Sequence, residues 1–494
     1  MTEGQLDRRR FLGAAAGLAL GAASAPLLTS GVARAASASK RVRLGPSILD
    51  TPALESPIDT IVVIMLENRS FDHFLGWLGD DEAYHEQGRS RYGEKFHVDA
   101  RTDVVYRDPS GNEVETAPLV GAANESNPWR GCGHPVPGHG WFSGRIQLAE
   151  GFLAEGTGND EYAVGYYRRD DLPLLGQLAD RFTVCDRSFA SLCAGTIPNR
   201  QYMHAAQSAE REDPGPLRPG MYASPTIWDK LLTAQVPCGY YYTDLPVLLL
   251  WGQRYSPLIN PIDRYFEQCA AGTLPNVVMV DPGFGGDLRT DQHTDGDVRL
   301  GQQWLSEVVK AFTASPQWSS GMLVVTYDEW GGFFDHVKPP LFDDPRATDD
   351  LTTSFGLAGF RVPSMVLSPY AHRGFVDHRV YDHTSILRAI EWRFLGAPPS
   401  GPGARGESWY LTTRDQHAEN IMSSLRGDDP DPEVEVELAP VAADTADACT
   451  LPAPQPPRAD FGSQNPFELH AELEDLLARD YPGAAYLPWL PLSG

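Results

Sequence analysis

The sequence predicts an α/β protein whose central sheet is mainly parallel and is flanked by helices on both faces. Short, continuous apolar runs rich in β-branched residues indicate strands that are buried on both sides. Segments with helical periodicity lie between several of these runs, and this alternation is typical of parallel sheets. Polar residues follow directly where some of the runs stop, which places candidate functional groups at the carboxyl ends of strands.

The first run, residues 58–66 (IDTIVVIML), is the strongest strand prediction, because every position after Thr60 is apolar. Further strands are predicted at 182–186, 239–243, 276–281, 322–328 and 362–368. Helices are predicted at 297–314, where apolar residues share one helical face, and at 384–395, where Thr384 and Ser385 can cap the first turn. The sheet is therefore expected to lie between helical layers.

The N-terminus predicts a twin-arginine signal peptide over residues 1–35. Arg8, Arg9 and Arg10 precede an apolar run from 12 to 28, and Ala33-Arg34-Ala35 fits a cleavage site. A membrane anchor is the alternative, but the run is weakly hydrophobic and short for a span. We therefore expect the twin-arginine translocase to export the protein to the periplasm, the cell surface or the medium, with no transmembrane anchor left after cleavage.

Composition limits the domains and partners of the mature chain. We expect a catalytic domain at 50–400, with an insertion around 84–135, and a loop-rich C-terminal appendage at 401–494. The formal net charge of −26 argues against nucleic acid as a partner, since binding the phosphate backbone needs a surplus of Lys and Arg. No Cys-x-x-Cys pair is present, which argues against a zinc-thiolate site.

Two predicted strands end in oxygen-bearing side chains. Glu67 and Asn68 follow the first strand, and Asp328 and Glu329 follow the strand at 322–328. Hard divalent cations prefer oxygen ligands, so the two strand ends together predict one cation site for Ca²⁺, Mg²⁺ or Mn²⁺. The alternatives are a solvated turn with a helix cap at the first position and an exposed acidic turn at the second.

Thr196 is the candidate nucleophile. It lies between Gly195, which permits a tight turn, and Pro198, which suits the first turn of a helix. The amino terminus of a helix favours phosphate, and a base or a metal can activate a threonine hydroxyl. The alternative is that Thr196 only caps the helix.

Two histidines are candidate proton donors. His139 and His293 lie in polar, turn-rich segments, where an imidazole can protonate a leaving group near neutral pH. Either could instead be structural. His336, which follows Asp335, is predicted to be a packed, hydrogen-bonded histidine.

Taken together and in this order, the segments resemble the bacterial phosphoesterase family that includes the non-specific phospholipases C and related acid phosphatases. The matching pieces span about 57–395 and comprise ENRSFDHFLG (67–76), PGHGW (137–141), GTIPNR (195–200), DEWGGFFDHVKPP (328–340), GFRVPSMVLSPY (359–370) and YDHTSILRAIEWRF (381–394). The resemblance implies an alkaline phosphatase-like fold. Trp330 stands where many relatives have histidine, and Val136 where many have aspartate.

The resemblance also implies residue roles. Glu67, Asn68, Asp328 and Glu329 would hold the metal, and Thr196 would be the nucleophile. His139 and His293 would face the phosphoryl group or the leaving oxygen. Substrate binding is expected of residues within the matching motifs, namely Asn199, Arg200 and His383.

The expected function is that of an exported, metal-dependent phosphoesterase that works through a phospho-threonine intermediate. A phospholipase C acting on a phosphodiester, with a phospholipid as the possible substrate, is the first reading. An acid-type phosphomonoesterase is the second. A non-catalytic exported binding protein of the same fold is the third, and the presence of a nucleophile and oxygen ligands counts against it.

Overall fold

The computed structural model of the protein describes residues 45–122, 127–286, 289–294, 296–401 and 409–431. The predicted signal peptide and most of the predicted C-terminal appendage lie outside the described residues. Within the described ranges, no helix is both long enough and apolar enough to cross a membrane.

An eight-stranded sheet forms the centre of the protein, in the order β12-β6-β11-β10-β1-β9-β7-β8. Strands β2 with β3, and β4 with β5, form two small separate sheets. The strands are β1 (Thr60–Leu66), β2 (Val105–Arg107), β3 (Glu113–Glu115), β4 (Ala117–Pro118), β5 (Gly165–Tyr166), β6 (Thr183–Cys185), β7 (Cys238–Tyr242), β8 (Ile259–Pro261), β9 (Val277–Asp281), β10 (Gly321–Tyr327), β11 (Met365–Leu367) and β12 (Phe375–Asp377).

The pairing of the central strands positions the site. Strand β1 runs parallel to both β9 and β10, and its last residue, Leu66, pairs with Tyr327 at the end of β10. The segments that follow β1 and β10 therefore lie side by side at the carboxyl ends of these two strands. Every residue of both strands is buried, as their continuous apolar sequences predict.

Helices surround this sheet. They are α1 (Phe71–Leu75), α2 (Glu82–Tyr92), α3 (Trp141–Glu150), α4 (Pro173–Arg181), α5 (Thr196–Ala205), α6 (Ile227–Thr233), α7 (Ile262–Ala271), α8 (Val298–Thr313), α9 (His383–Ile390) and α10 (Thr413–His417). Helix α8 begins after Asp297, whose side chain accepts a hydrogen bond from the amide of Arg299. Helix α9 continues into a π-helical turn at Glu391–Leu395.

The predicted fold class is confirmed, and the predicted strands and helices are present with shifted ends. The structure adds what the apolar pattern did not show. Strand β11 is antiparallel to both β10 and β6, so one strand interrupts the parallel order. The edge strands β8 and β12 are three residues long, which is too short for a periodic signal.

The predicted boundary of the catalytic domain at residue 400 is wrong, because residues 409–431 pack against its core. Met422 and Leu425 are buried, and the Leu425 carbonyl accepts a hydrogen bond from the Ile48 amide at 3.2 Å. The buried Arg414 guanidinium donates to Asp382 at 2.6 Å. The catalytic unit therefore includes Ile48 at one end and extends to at least residue 431 at the other.

Candidate active site

The two predicted pairs of metal ligands meet at the carboxyl ends of β1 and β10. The Asp328 amide donates to the Leu66 carbonyl at 3.0 Å, which continues the pairing of the strands by one residue. The Asn68 amide then donates to Asp328 Oδ1 at 3.3 Å. Asn68, Asp328 and Glu329 are fully buried, and Glu67 is 6% exposed. The structure thus brings together the four side chains that the sequence selected.

Burial makes this group of carboxylates electrostatically unfavourable. Burial and the neighbouring Asp328 raise the pKa of Glu67 well above its ordinary value. Burial raises the pKa of Asp328 to about 7, against the opposing effect of Arg200. Burial and Asp328 likewise raise the pKa of Glu329. Three adjacent carboxyl groups with raised pKa values are the situation that a bound cation relieves.

Two oxygen atoms of the group are available to a cation. Asn68 Oδ1 and Glu329 Oε1 are buried and accept no hydrogen bond from the described residues. Buried acceptors are normally satisfied, so two unsatisfied oxygens among raised-pKa carboxylates fit the ligand set of a hard divalent ion. Asn68 has a φ of 60°, and the Cβ of any side chain at Gly331 would lie 2.1 Å from the Asn68 carbonyl oxygen. Gly331 therefore permits the close approach of the two strand ends.

Thr196 is the first residue of α5, and Gly195 occupies the N-cap position. The alternative role of Thr196 as the N-cap is therefore wrong. Arg200 lies one turn further along the same helical face. Its Nε donates to Asp328 Oδ2 at 3.1 Å, and its Nη2 lies 3.5 Å from Glu67 Oε1. This contact holds the helix that carries Thr196 against both strand ends.

Asn199 shapes the loop that precedes Thr196. Its side-chain oxygen accepts from the Leu192 amide at 2.9 Å, and its side-chain nitrogen donates to the carbonyls of Ala194 and Gly195 at 2.8 and 3.0 Å. The Arg200 guanidinium also binds Asp281 Oδ1 at 3.1 Å and the Met65 carbonyl at 3.2 Å. Substrate binding by Asn199 and Arg200 stays a prediction, and the geometry gives both side chains a positioning role.

His139 and His293 lie beside each other, with ring centroids 6.1 Å apart and planes at 84°. His139 is buried, and its Nδ1 lies 2.8 Å from the Pro137 carbonyl. The His293 amide donates to Asp291 Oδ1 at 3.0 Å, while the Glu67 amide donates to the Asp291 carbonyl at 2.9 Å. Asp291 therefore links the His293 loop directly to the end of β1.

Burial, together with the charge of Arg289, holds the pKa of His293 well below its ordinary value. His293 is therefore neutral near pH 7, when it can accept a proton or donate its single N–H.

His383 connects the loop that precedes Thr196 to β10. Its Nε2 lies 2.9 Å from the Tyr327 carbonyl, and its Nδ1 lies 3.1 Å from Ser191 Oγ. Burial lowers the pKa of His383 to about 4, which keeps the ring neutral. Since both ring nitrogens contact protein groups, this geometry favours a positioning role, and substrate binding by His383 stays a prediction.

The structure adds residues that the sequence analysis did not select. Asp281 ends β9 and binds Arg200, and its place at a strand end was a usable signal. Arg69 is buried, donates from Nε to the Gln292 carbonyl at 2.7 Å, and lies 4.8 Å from the centre of the Phe333 ring. Nothing in the local sequence indicates this contact, because it joins positions 223 residues apart.

A second charged cluster lies in the segments that follow these two strand ends. Asp72, Asp335 and His336 place potential ligand atoms within 4.8 Å of one another. Arg361 donates to Asp335 at 2.8 Å and to Asp72 at 2.9 Å, and His336 lies 2.5 Å from Asp72. Because two cationic side chains already balance the carboxylates, this cluster fits a structural ion-pair network. The prediction that His336 is hydrogen-bonded and packed is confirmed.

Comparison with known proteins identifies the family of the chain. A sequence model described as the phosphoesterase family matches residues 58–395. The chain belongs to this family. The chain is therefore a phosphoric ester hydrolase, and the resemblance predicted from its motifs is confirmed. The matched segment includes every predicted ligand, nucleophile and histidine of the site.

Relatives of this phosphoesterase include phospholipases C from plants and bacteria. It is 33% identical over 411 residues to non-specific phospholipase C4 of Arabidopsis thaliana, covering 76% of this chain and 73% of the relative. It is 30% identical to phospholipase C B of Mycobacterium tuberculosis, covering 70% of this chain and 75% of the relative. It is 27% identical to the non-hemolytic phospholipase C of Pseudomonas aeruginosa, covering 91% and 68%.

Solved structures similar to this phosphoesterase include an alkaline phosphatase superfamily protein from Vibrio parahaemolyticus. The TM-score is 0.29 at 11% identity, over 52% of this chain and 64% of that one. The lipoteichoic acid synthase LtaP from Listeria monocytogenes gives a TM-score of 0.36 at 7% identity, over 76% and 80%. Because these scores are low, the fold description rests on the strand order of the chain itself.

Proposed function

We propose that this phosphoesterase is an exported phospholipase C that cleaves a phosphodiester through a covalent phospho-threonine at Thr196. One divalent cation, Ca²⁺, Mg²⁺ or Mn²⁺, would be held by Glu67, Asn68, Asp328 and Glu329. The names of the relatives support the choice of a phospholipid diester, and the arginine motif at the N-terminus supports export. A phosphomonoesterase is the competing reading.

The observation that carries the proposal is the contact of Arg200 with both strand ends. This single side chain fixes the helix of Thr196 against Asp328 and Glu67. The hydroxyl on the first residue of that helix lies at the positive end of the helix dipole, which favours a phosphoryl group. A nucleophile, an anion site and a set of oxygen ligands thus occur at one edge of the sheet.

The protein groups have separate roles in the reaction. When bound, a divalent cation supplies a Lewis acid that lowers the pKa of a nearby hydroxyl and neutralises phosphoryl oxygens. Thr196 gives up its hydroxyl proton and attacks phosphorus, and the bond from phosphorus to the alcohol oxygen breaks. His139 or His293 accepts a proton in its neutral form and passes it to the departing oxygen, so that the alcohol leaves protonated. Water then hydrolyses the phospho-threonine. Asn199 and Arg200 hold the hydroxyl in position. Such positioning supplies most of the acceleration of phosphoryl transfer.

Replacement of the nucleophile tests the mechanism. We expect Thr196→Ala to lose at least about a thousandfold in kcat, because alanine has no hydroxyl that could attack phosphorus. Thr196→Ser should retain much of the activity, since it keeps the hydroxyl. Mass spectrometry of acid-quenched protein should detect one added phosphoryl group on residue 196 in the wild type. Wild-type turnover by Thr196→Ala would refute the assignment.

A comparison of substrates tests the reaction class. Phosphatidylcholine and p-nitrophenyl phosphate should be assayed side by side, with and without a chelator. Preference for the diester, with diacylglycerol as the product and loss of activity on chelation, is expected. Preference for the monoester would favour the phosphatase reading instead.

A further inference from the structure

The carboxylate of Asp213 lies at the amino terminus of α5, the helix that begins with Thr196. Its Oδ1 accepts a hydrogen bond from the Ile197 amide at 2.6 Å. A Cβ at Gly195 would lie 2.3 Å from Asp213 Oδ2, so the absence of a side chain at 195 makes room for the carboxylate. Asp213 thus contacts the residues on both sides of Thr196. No sequence pattern indicates this contact, because it crosses an irregular loop.

The loop that carries Asp213 is fixed at several points. The Ala209 amide donates to Gln201 Oε1 at 2.9 Å, and the Arg346 guanidinium donates to the Ser208 carbonyl. The Arg211 guanidinium lies 5.3 Å from the ring centre of Trp141, which follows the His139 segment directly. These contacts hold the loop beside the amino terminus of α5 and keep Asp213 in place.

Asp213 adds negative charge to a site that already holds buried carboxylates. It is one of the charges that raise the pKa of both Asp328 and Glu329, so it lies within electrostatic range of the proposed cation ligands. It also occupies an amide, that of Ile197, which would otherwise face an incoming phosphoryl oxygen. Each additional negative charge on the substrate is therefore repelled by the Asp213 carboxylate, directly beside Thr196.

We propose that Asp213 determines substrate charge, by disfavouring dianionic phosphomonoesters relative to monoanionic phosphodiesters. A phosphomonoester carries nearly two negative charges above neutral pH, because its second pKa is about 6, whereas a diester lacks that second acidic group. Repulsion grows in proportion to the charge, so the monoester meets the larger penalty. This inference rests on the proposed function and specifies the substrate class of the same site.

The test is the ratio of kcat/KM for a monoester to that for a diester. p-Nitrophenyl phosphate and bis(p-nitrophenyl) phosphate, a diester with a single negative charge, would be assayed with the metal-loaded full-length protein at about pH 8, where the monoester is a dianion. Asp213→Asn should raise the monoester-to-diester ratio by a factor on the order of ten to a hundred, since it removes one unit charge and keeps an acceptor for Ile197. Inhibition by inorganic phosphate should strengthen in the same variant.

Matched variants exclude a purely structural effect. Asp213→Ser keeps a helix-capping oxygen without the charge and should shift the ratio in the same direction, which covers the case in which the Asn variant folds poorly. Glu210→Gln removes an equal charge three residues earlier in the same loop and should leave the ratio unchanged.

An unchanged ratio, an equal loss for both substrates, or loss of bound metal in Asp213→Asn would overturn the inference. The test is independent of the nucleophile assignment. If Thr196→Ala remains active while the ratio still shifts, only the nucleophile is wrong; if Thr196→Ala is inactive and the ratio does not shift, only the role of Asp213 is wrong.

Discussion

Asp328 is the residue at which the contacts of the candidate site converge. It accepts hydrogen bonds from the amides of Asn68 and Glu329 and from the Arg200 guanidinium. The sequence identified Asp328 as a carboxylate at a strand end, which is a local property. It could not identify Arg200 as its partner, because that contact joins positions 128 residues apart.

Asp328→Asn should therefore lose bound metal and activity together. The substitution preserves the size of the side chain but removes the negative charge that a divalent cation needs. We expect the variant to contain less than about a tenth of the wild-type metal and to lose at least a hundredfold in kcat. Elemental analysis of the purified protein measures the first effect, and Asp349→Asn, on the exposed surface, is the control. Unchanged metal content would refute the ligand role.

At the scale of elements, a buried ion-pair network joins three of the motifs that carry the family resemblance. Asp72 comes from the segment after β1, Asp335 and His336 come from the segment after β10, and Arg361 precedes β11. The hydrogen bonds within this network offset the electrostatic cost of burying these charges. The network thus stabilises the segments that leave β1 and β10, and these four motif residues have a structural role.

The stability of this network should depend on pH. Hydrogen bonds to Asp72 and Asp99 outweigh the effect of burial and raise the pKa of His336 from 6.5 to about 9. Because the folded-state pKa is raised, the contribution of His336 is complete below about pH 6.5 and is lost as pH rises through 9. We expect His336→Gln to cost roughly 2 kcal/mol at pH 6 and much less at pH 10. Urea unfolding of the wild type and the variant at both pH values measures this difference in the free energy of unfolding. The same difference at pH 6 and pH 10 would contradict the role of His336.

The elements also show what the sequence could predict. Strands β1 and β10 were predictable because long apolar runs leave few alternatives for a buried segment. The reversed direction of β11 was not, since a run of three buried residues carries no directional information. Asp213 was missed for a related reason: capping from a distant loop depends on tertiary packing and leaves no spacing pattern.

At the scale of the whole molecule, the chain beyond the family match completes the catalytic domain. Arg414 is buried and donates to Asp382 and to the Ser191 carbonyl, which lies in the loop that leads to Thr196. Asp382 also caps α9, the helix that begins with His383. The segment at 409–431 therefore stabilises the loop that leads to Thr196.

Arg414→Ala should destabilise the protein strongly. It leaves the Asp382 carboxylate buried without its cationic partner, and breaking a buried pair in this way costs about 3–5 kcal/mol. Thermal and urea unfolding measure the loss, and Arg426→Ala, at a more exposed ion pair, is the matched control with an expected change below about 1 kcal/mol. Equal stability of the two variants would contradict the assignment of 409–431 to the domain.

The pairing of β1 with β10 has a consequence for how the enzyme is made. Asn68 and Asp328 are hydrogen-bonded partners separated by 260 positions. At about 5–20 residues per second, a ribosome needs roughly 13–50 seconds to synthesise the chain between them. During that time β1 lacks its neighbour β10, and the nascent chain contains only two of the four proposed cation ligands. The proposed cation site can therefore assemble only after about two thirds of the chain has been synthesised, and any metal loading would follow the pairing of β1 with β10.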